Sequence, residues 1–382
     1  MIFKRLSFTL MIGIVAFCNS SFSQTPLSRI TQTDTLANDS ASFYLHADIT
    51  QFLKNNEYFS PIVEGYTLFG TNLKAGGYFM PSSKAKIYFG LNAIKYFGDT
   101  KINTIAPDIN ITYNFNNHIK VVMGSLYHQP QNNLIPLFTD HETLLTEPAK
   151  EGLAFAFRNN RLQWDIWVAW LQYLHPYEHS QEKIYLGNTF EYKIIKNERF
   201  EVCVPFQFTA YHIGGQINDV WMPLTMILNN AVGLSTKLKL EKGNVTVRYF
   251  YVGYTDLTTN SNNIYQNGDG HFIDASLQTK HFQTSLSYWR GFQFFSPYGE
   301  AMYSSISSRI PIDNPPSNQR KRELITAHFY YNTDLTKGLT LLTGLQLFYD
   351  THNAICDYSY SFMLRYCGDL LVKNHSRAFH HR

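Results

Sequence analysis

A chain of 382 residues carries a formal charge of only +3, 16% aromatic residues and a slightly negative mean hydropathy. The near-neutral balance implies no nucleic-acid or acidic-surface partner, and an odd set of cysteines after removal of the N-terminus, Cys203, Cys356 and Cys367, excludes a disulfide framework. Beyond residue 23 no apolar run approaches the length of a membrane helix, so an exported, aromatic-rich chain has one membrane solution left, a closed β-barrel.

The first residues, MIFKRLSFTLMIGIVAFCNSSFSQ, set Lys4 and Arg5 ahead of an apolar run from Leu6 to Phe17 and small residues ending at Ser23. That is the order of a cleaved secretory signal peptide, residues 1–23. Its removal takes two of the three net positive charges with it. Phe17 before Cys18 disfavours a lipoprotein signal, which wants a small residue there. Residues 24–41 lack aromatics and periodicity and read as a flexible periplasmic leader.

Period-two alternation then marks about sixteen strands, with fourteen to eighteen as the range: 43–53, 66–80, 84–96, 104–115, 118–127, 151–158, 161–174, 183–194, 199–213, 231–241, 244–256, 270–280, 282–294, 322–332, 339–350 and 355–367. The barrel is expected over 42–372, with a polar tail at 373–382. Connections alternate between tight ones, such as Asn116-Asn117, Asn159-Asn160 and Lys242-Gly243, and long ones, such as 128–150, 214–230 and 295–321. This is the asymmetry of an antiparallel up-and-down transmembrane barrel, with short periplasmic turns and long extracellular loops. Asn116-Asn117 suits a two-residue reversal because asparagine tolerates positive φ. Pro205 removes a ladder donor and predicts a bulge. Trp164, Trp170, Tyr249, Tyr251 and Tyr288 fall where an interfacial aromatic girdle belongs.

The loop from His128 to Gly152 is a candidate constriction, with Asp140, Glu142 and Glu147 as its acidic side. Lys120, Arg158, Lys237, Lys239, Arg248 and Arg365, all in the phase assigned to the lumen, would form the opposing wall and set up a transverse field. The equal alternative is a surface loop with solvated charges. His175 and His179 flank Pro176, which argues against a helical metal pair, and Asn267 to Gly270 reads as a Gly-rich turn rather than a calcium loop. No metal or cofactor is expected. Ser285 and Ser287 with His328 are the candidates for a barrel lipid hydrolase, a reading that no motif supports.

The exported, tyrosine-rich and asparagine-turned chain resembles the porin-like outer-membrane β-barrels of the Bacteroidetes, and Asp34-Thr35-Leu36 and Asp39-Ser40-Ala41 resemble that phylum's O-glycosylation signal. The expectation is an integral protein of a Gram-negative outer membrane that is not an enzyme and passes small polar solutes by passive diffusion. Its expected partners are outer-membrane lipid and lipopolysaccharide, the barrel-assembly machinery, and a further copy or accessory subunit. The alternatives are a non-conducting accessory barrel of an assembly, secretion or glycan-uptake complex, and third a lipid hydrolase. Where barrels of this kind end on an aromatic, Tyr366 is followed by GDLLVKNHSRAFHHR, so either the last strand continues to Leu371 or the C-terminus is unusual.

Overall fold

The computed structural model describes residues 41–126, 134–175, 179–215, 223–258, 261, 263–309 and 317–374. The signal peptide, nearly all of the leader, Tyr127, His128, Pro176 and residues 375–382 lie outside the described residues. Sixteen strands follow in chain order: β1 (Ser42–Glu57), β2 (Tyr66–Ser82), β3 (Ala85–Tyr96), β4 (Thr104–Asn114), β5 (Ile119–Ser125), β6 (Glu151–Arg158), β7 (Leu162–Gln172), β8 (Lys183–Lys196), β9 (Phe200–Ile213), β10 (Thr225–Leu240), β11 (Gly243–Asp256), β12 (Asn267–Gln278), β13 (Phe282–Phe292), β14 (Lys321–Thr336), β15 (Leu339–Asp350) and β16 (Ile355–Asn374). Each pairs antiparallel with its chain neighbours, and β1 pairs with β16 to close the barrel. Closure leaves no ladder edge to face lipid, where an unpaired backbone group would cost several kcal/mol.

The stripe of each strand sets its faces. In β4, Ile105, Ile109 and Ile111 point outward and are more than half exposed, whereas Asp108 and Thr112 point into the lumen and are buried. Lipid therefore meets the apolar set. The turns at one end are short and chemically alike: the Asn116 side chain accepts the N–H groups of His118 and Ile119, Asn159 those of Arg161 and Leu162, and Asn197 those of Arg199 and Phe200. Asparagine reverses the chain here by side-chain capping. The positive φ expected of Asn116-Asn117 is not used, since among the described residues only Ala41, Gln293 and Ala354 adopt it outside glycine. The turn after β14 does need it, and Gly338 supplies it with φ 78°.

Several strands differ from the sequence reading, and β1 and β14 each run four residues further than expected, to Glu57 and Thr336. β10 begins at Thr225, because Met226 and Leu228 continue the outward stripe and Asn229-Asn230 is strand, not turn. Asn267 to Gly270 opens β12 and is likewise not a turn. Pro205 pairs with Glu191 in register, and the β8–β9 ladder shifts only further on, in β8 between Lys193 and Ile195; toward β10 the ladder lapses at Gly233 and Leu234 and resumes unshifted, so the missing donor costs pairs and makes no bulge at Pro205 itself. β16 runs past Leu371 to Asn374, and its last residues pair with Ser42 and Phe43 across a register shift at Phe43/Tyr44.

Two connecting segments fold into the interior. Loop 134–150 turns inward, and Leu134, Ile135, Leu137 and Phe138 pack with the inward Trp167, Phe272, Trp289 and Leu324 and with Phe294 and Tyr303 of the 293–309 segment. Gly187 allows this: a Cβ there would lie 2.0 Å from the Trp167 ring. The two inner segments are cross-linked by Asp140 N–H to Tyr298 C=O (2.7 Å) and Glu300 N–H to Pro136 C=O (2.8 Å). Arg322, fully buried, donates to Gln319, Asp350 and the Met302 carbonyl and anchors the second segment to the wall. Ser307 and Ser308 tie it to Pro61 and Ile62 of the loop after β1.

Candidate functional site in the closed lumen

The extracellular end of β1 alternates Lys54 and Asn56 inward with Asn55 and Glu57 outward, and the inward pair meets the infolded loop. The Lys54 ammonium donates to Glu142 at 2.6 Å, with both side chains over 90% buried; Asn56 donates to the same oxygen at 3.2 Å and Tyr66 to the other. Asp140 accepts the Glu142 N–H at 2.8 Å, opening a single helical turn, Thr143–Thr146. Asn72, itself bound by Asn92, donates to the Leu144 and Leu145 carbonyls and fixes the far end of that turn. A charged group taken this far from water survives only when paired and hydrogen-bonded, which the Glu142 carboxylate is.

Between these two acids sits His141. Its Nε2 is buried and has no hydrogen-bond partner among the described residues. Burial, with His328 and Lys54 nearby, pushes the imidazole down to about 4, so it is neutral at ordinary pH. Beside it lies a cavity of about 10 Å³ lined by Thr139, Asp140, His141, Thr143, Lys150, Tyr185 and Tyr298, room for one water. The Lys150 ammonium lies 5.0 Å over the Tyr298 ring and 3.3 Å from Glu147. Burial, with the Glu142 carboxylate near Asp140 and the Asp140 carboxylate near Glu300, holds the carboxyls of Asp140 and Glu300 above the usual carboxylate range, Glu300 further.

The residues expected to form a constriction are distributed otherwise. Asp140 and Glu142 are in the lumen as expected, while Glu147 is half exposed and bound to Lys150. The cations do not face them: they lie toward the periplasmic end, and Arg158, Arg248, Arg365 and Lys239 are each answered by a carboxylate on the wall. Arg158 binds Asp165, Arg248 binds Asp274, Arg365 binds Asp48 through two bonds, and Lys239 shares Glu201 with Lys193. Lys120 and Lys237 stand on the same periplasmic reach of β5 and β10. The opposing-wall arrangement is thus corrected to a ring of local pairs, because an adjacent strand offers each cation a partner about 5 Å away and the loop does not. The girdle residues face out: Trp164 and Trp170 lie near opposite ends of β7 and donate to Asn188 and Glu182, and Tyr249, Tyr251 and Tyr288 lie toward the extracellular side of β11 and β13. Ser285 is the cross-strand partner of His328, with no hydrogen bond joining them, and Ser287 donates to Asp274. His46, Asp48 and Cys367 also converge, within 4.8 Å, but Arg365 already occupies Asp48. Sequence reasoning missed Lys54, Asn56, His141 and Glu300. Polar residues at two successive inward positions of β1, Lys54 and Asn56, and a histidine between two acids were the available signals.

Closure of sixteen antiparallel strands with an apolar outer face defines an integral outer-membrane β-barrel of porin-like fold. The chain is similar in fold to a loop L8 deletion mutant of OmpT, an outer membrane protein of Vibrio cholerae, with 9% identity, 87% of this chain and 100% of that chain covered, and a TM-score of 0.52. It is similar also to the outer membrane protein OprD of Pseudomonas aeruginosa, with 8% identity, 88% and 97% covered, and a TM-score of 0.51. No curated protein sequence matches the chain significantly. By sequence, residues 34–375 match the Lipid A 3'-O-deacylase-type family, and the chain belongs to it. That family is one of enzymes, so the expectation of a barrel without catalysis is corrected.

Proposed function

We propose that the protein is an ester hydrolase that removes a 3'-O-linked acyl chain from lipid A-type glycolipids. The family description supports the substrate, and the observation that carries the chemistry is a neutral His141 that lines a cavity of one water's size together with Lys150 and keeps its buried Nε2 unmatched among the described residues. In this reading His141 takes a proton from that water as it adds to the ester carbonyl. Lys150, a cation on the same cavity, stabilises the charge that develops on the carbonyl oxygen. Collapse expels the sugar oxygen, which takes the proton back from His141, leaving a fatty acid and a free sugar hydroxyl. Lys54, Asn56 and Tyr66 position the loop through Glu142 and stay clear of the reacting atoms. The site lies within a few residues of the extracellular strand ends, at the height of outer-leaflet headgroups.

Incubating the purified protein with lipid A and weighing the products is the test: loss of one acyl chain with an equivalent of free fatty acid is expected, and intact lipid A would sink the proposal. The filled lumen makes a second expectation, that planar bilayers containing the protein show no stable conductance steps. Deleting 134–150 should produce them.

The pH profile follows from His141. Its base form persists above about 4, so the rate should hold from neutral pH to about 5 and fall only below. A half-maximal rate near the ordinary histidine value of about 6.5 would contradict this. For stability the signs oppose: protonation in the unfolded chain below about 6.5 works against a neutral buried His141, whereas Asp140 and Glu300 bind protons more readily when folded and gain as pH falls.

A further inference from the structure

The outer wall carries a second polar cluster, away from the lumen and facing lipid. Register places Tyr251, His271, Arg290 and Glu323 in one row across β11, β12, β13 and β14. All four are in the outward phase, which immediately below reads Tyr249, Ile273, Tyr288 and Ile325 and then Val247, Ala275, Leu286 and Ala327. To one side the row ends at Val232 of β10. The polar arc is therefore local to four strands.

Its groups are organised by one another. Tyr249 and His271 share a hydrogen bond of 2.9 Å, Tyr251 donates to Asp269 at 3.0 Å, and Tyr288 donates to Glu323. Arg290, exposed in the middle, makes no ion pair within 4.0 Å among the described residues. Just above, Arg320 lies 4.8 Å over the Phe292 ring and Lys321 is exposed. A lone guanidinium on the lipid face is costly at the bilayer midplane and nearly free of cost near the interface, which puts this row at headgroup level.

We propose that this arc binds the headgroup of a phosphorylated glycolipid of the outer leaflet, as a lateral site distinct from the lumen cavity. Arg290 takes the phosphate, bidentate, with Arg320 and Lys321 adding positive charge above it. The Asp269 and Glu323 carboxylates, oriented by their tyrosines, accept sugar hydroxyls, while the outward apolar residues below hold the acyl chains. This site needs no catalysis and does not depend on the hydrolase reading.

The test uses the full-length protein in detergent, stripped of lipid and titrated with bisphosphorylated lipid A under native mass spectrometry, in parallel with the dephosphorylated lipid. Arg290→Gln should weaken the tightest binding event by about tenfold to a hundredfold, the size of a lost charge-assisted contact, and the dephosphorylated lipid should bind wild type as weakly as the variant binds the phosphorylated one. Heat-modifiable gel mobility checks that the variant barrel is folded. Unchanged affinity of Arg290→Gln overturns the site, and so does a change confined to oligomeric state, which would make the arc a contact between copies of this chain. Loss of lipid A hydrolysis in a separate assay would bear only on the lumen.

Discussion

Replacing His141 with glutamine should lower the rate of acyl release by about a hundredfold to ten-thousandfold, the range for removal of a general base. Glutamine approximates the size of the ring and can hydrogen-bond at the cavity but cannot take the proton. The loop should stay in place, because the anchors of 134–150 are Glu142 on Lys54, the Leu144 and Leu145 carbonyls on Asn72, and the apolar run Leu134 to Phe138. Substrate affinity should change little while turnover collapses. A variant with near wild-type turnover would remove His141 from the chemistry and return attention to His328, whose Nε2 is also buried without a partner among the described residues.

The second large effect is on the loop itself. Lys54→Met strips the cation from a carboxylate that is over 90% buried, which costs about 3–5 kcal/mol when the remaining charge has nowhere to go. The barrel wall, held by sixteen closed ladders, should remain folded. The cost falls on the seating of 134–150, so amide exchange at Leu145 and Glu147 should quicken by roughly two to four orders of magnitude. The double variant Lys54→Met/Glu142→Gln, with both charges gone, should recover most of the protection. If the single variant exchanges like wild type, Lys54 is not what holds the loop.

How much of this was legible before the structure depends on the range over which each signal acts. The wall was readable because a strand declares its two faces within a few residues: Ile109 against Asp108, Leu162 against Gln163. The asparagine turns were readable as positions, though their mechanism, capping by Asn116, Asn159 and Asn197, is a detail of side-chain geometry. β10 was cut short because Asn229-Asn230 carries the same local signature as a turn, and only pairing with Gly253 and Tyr254 shows it to be strand. Asp140 and Glu142 were recognised as loop acids, but Lys54 and Asn56, 88 and 86 residues from Glu142 in the chain, come to it only when the loop folds into the closed barrel. One sign of an apolar interior lies in the sequence itself: Trp167 and Trp289 fall on the inward face of their strands, and an inward tryptophan needs something apolar to meet. What it meets, Leu137, Phe138 and Phe294, lies in loops whose inward turn no local pattern announces.

The most direct test of the account is to run the reaction in water labelled with heavy oxygen. Hydrolysis by a water held at His141 predicts one labelled oxygen in the released fatty acid and none in the sugar hydroxyl, at a rate lost in His141→Gln. Label in the sugar hydroxyl, or fatty acid released as fast by the variant, would contradict it.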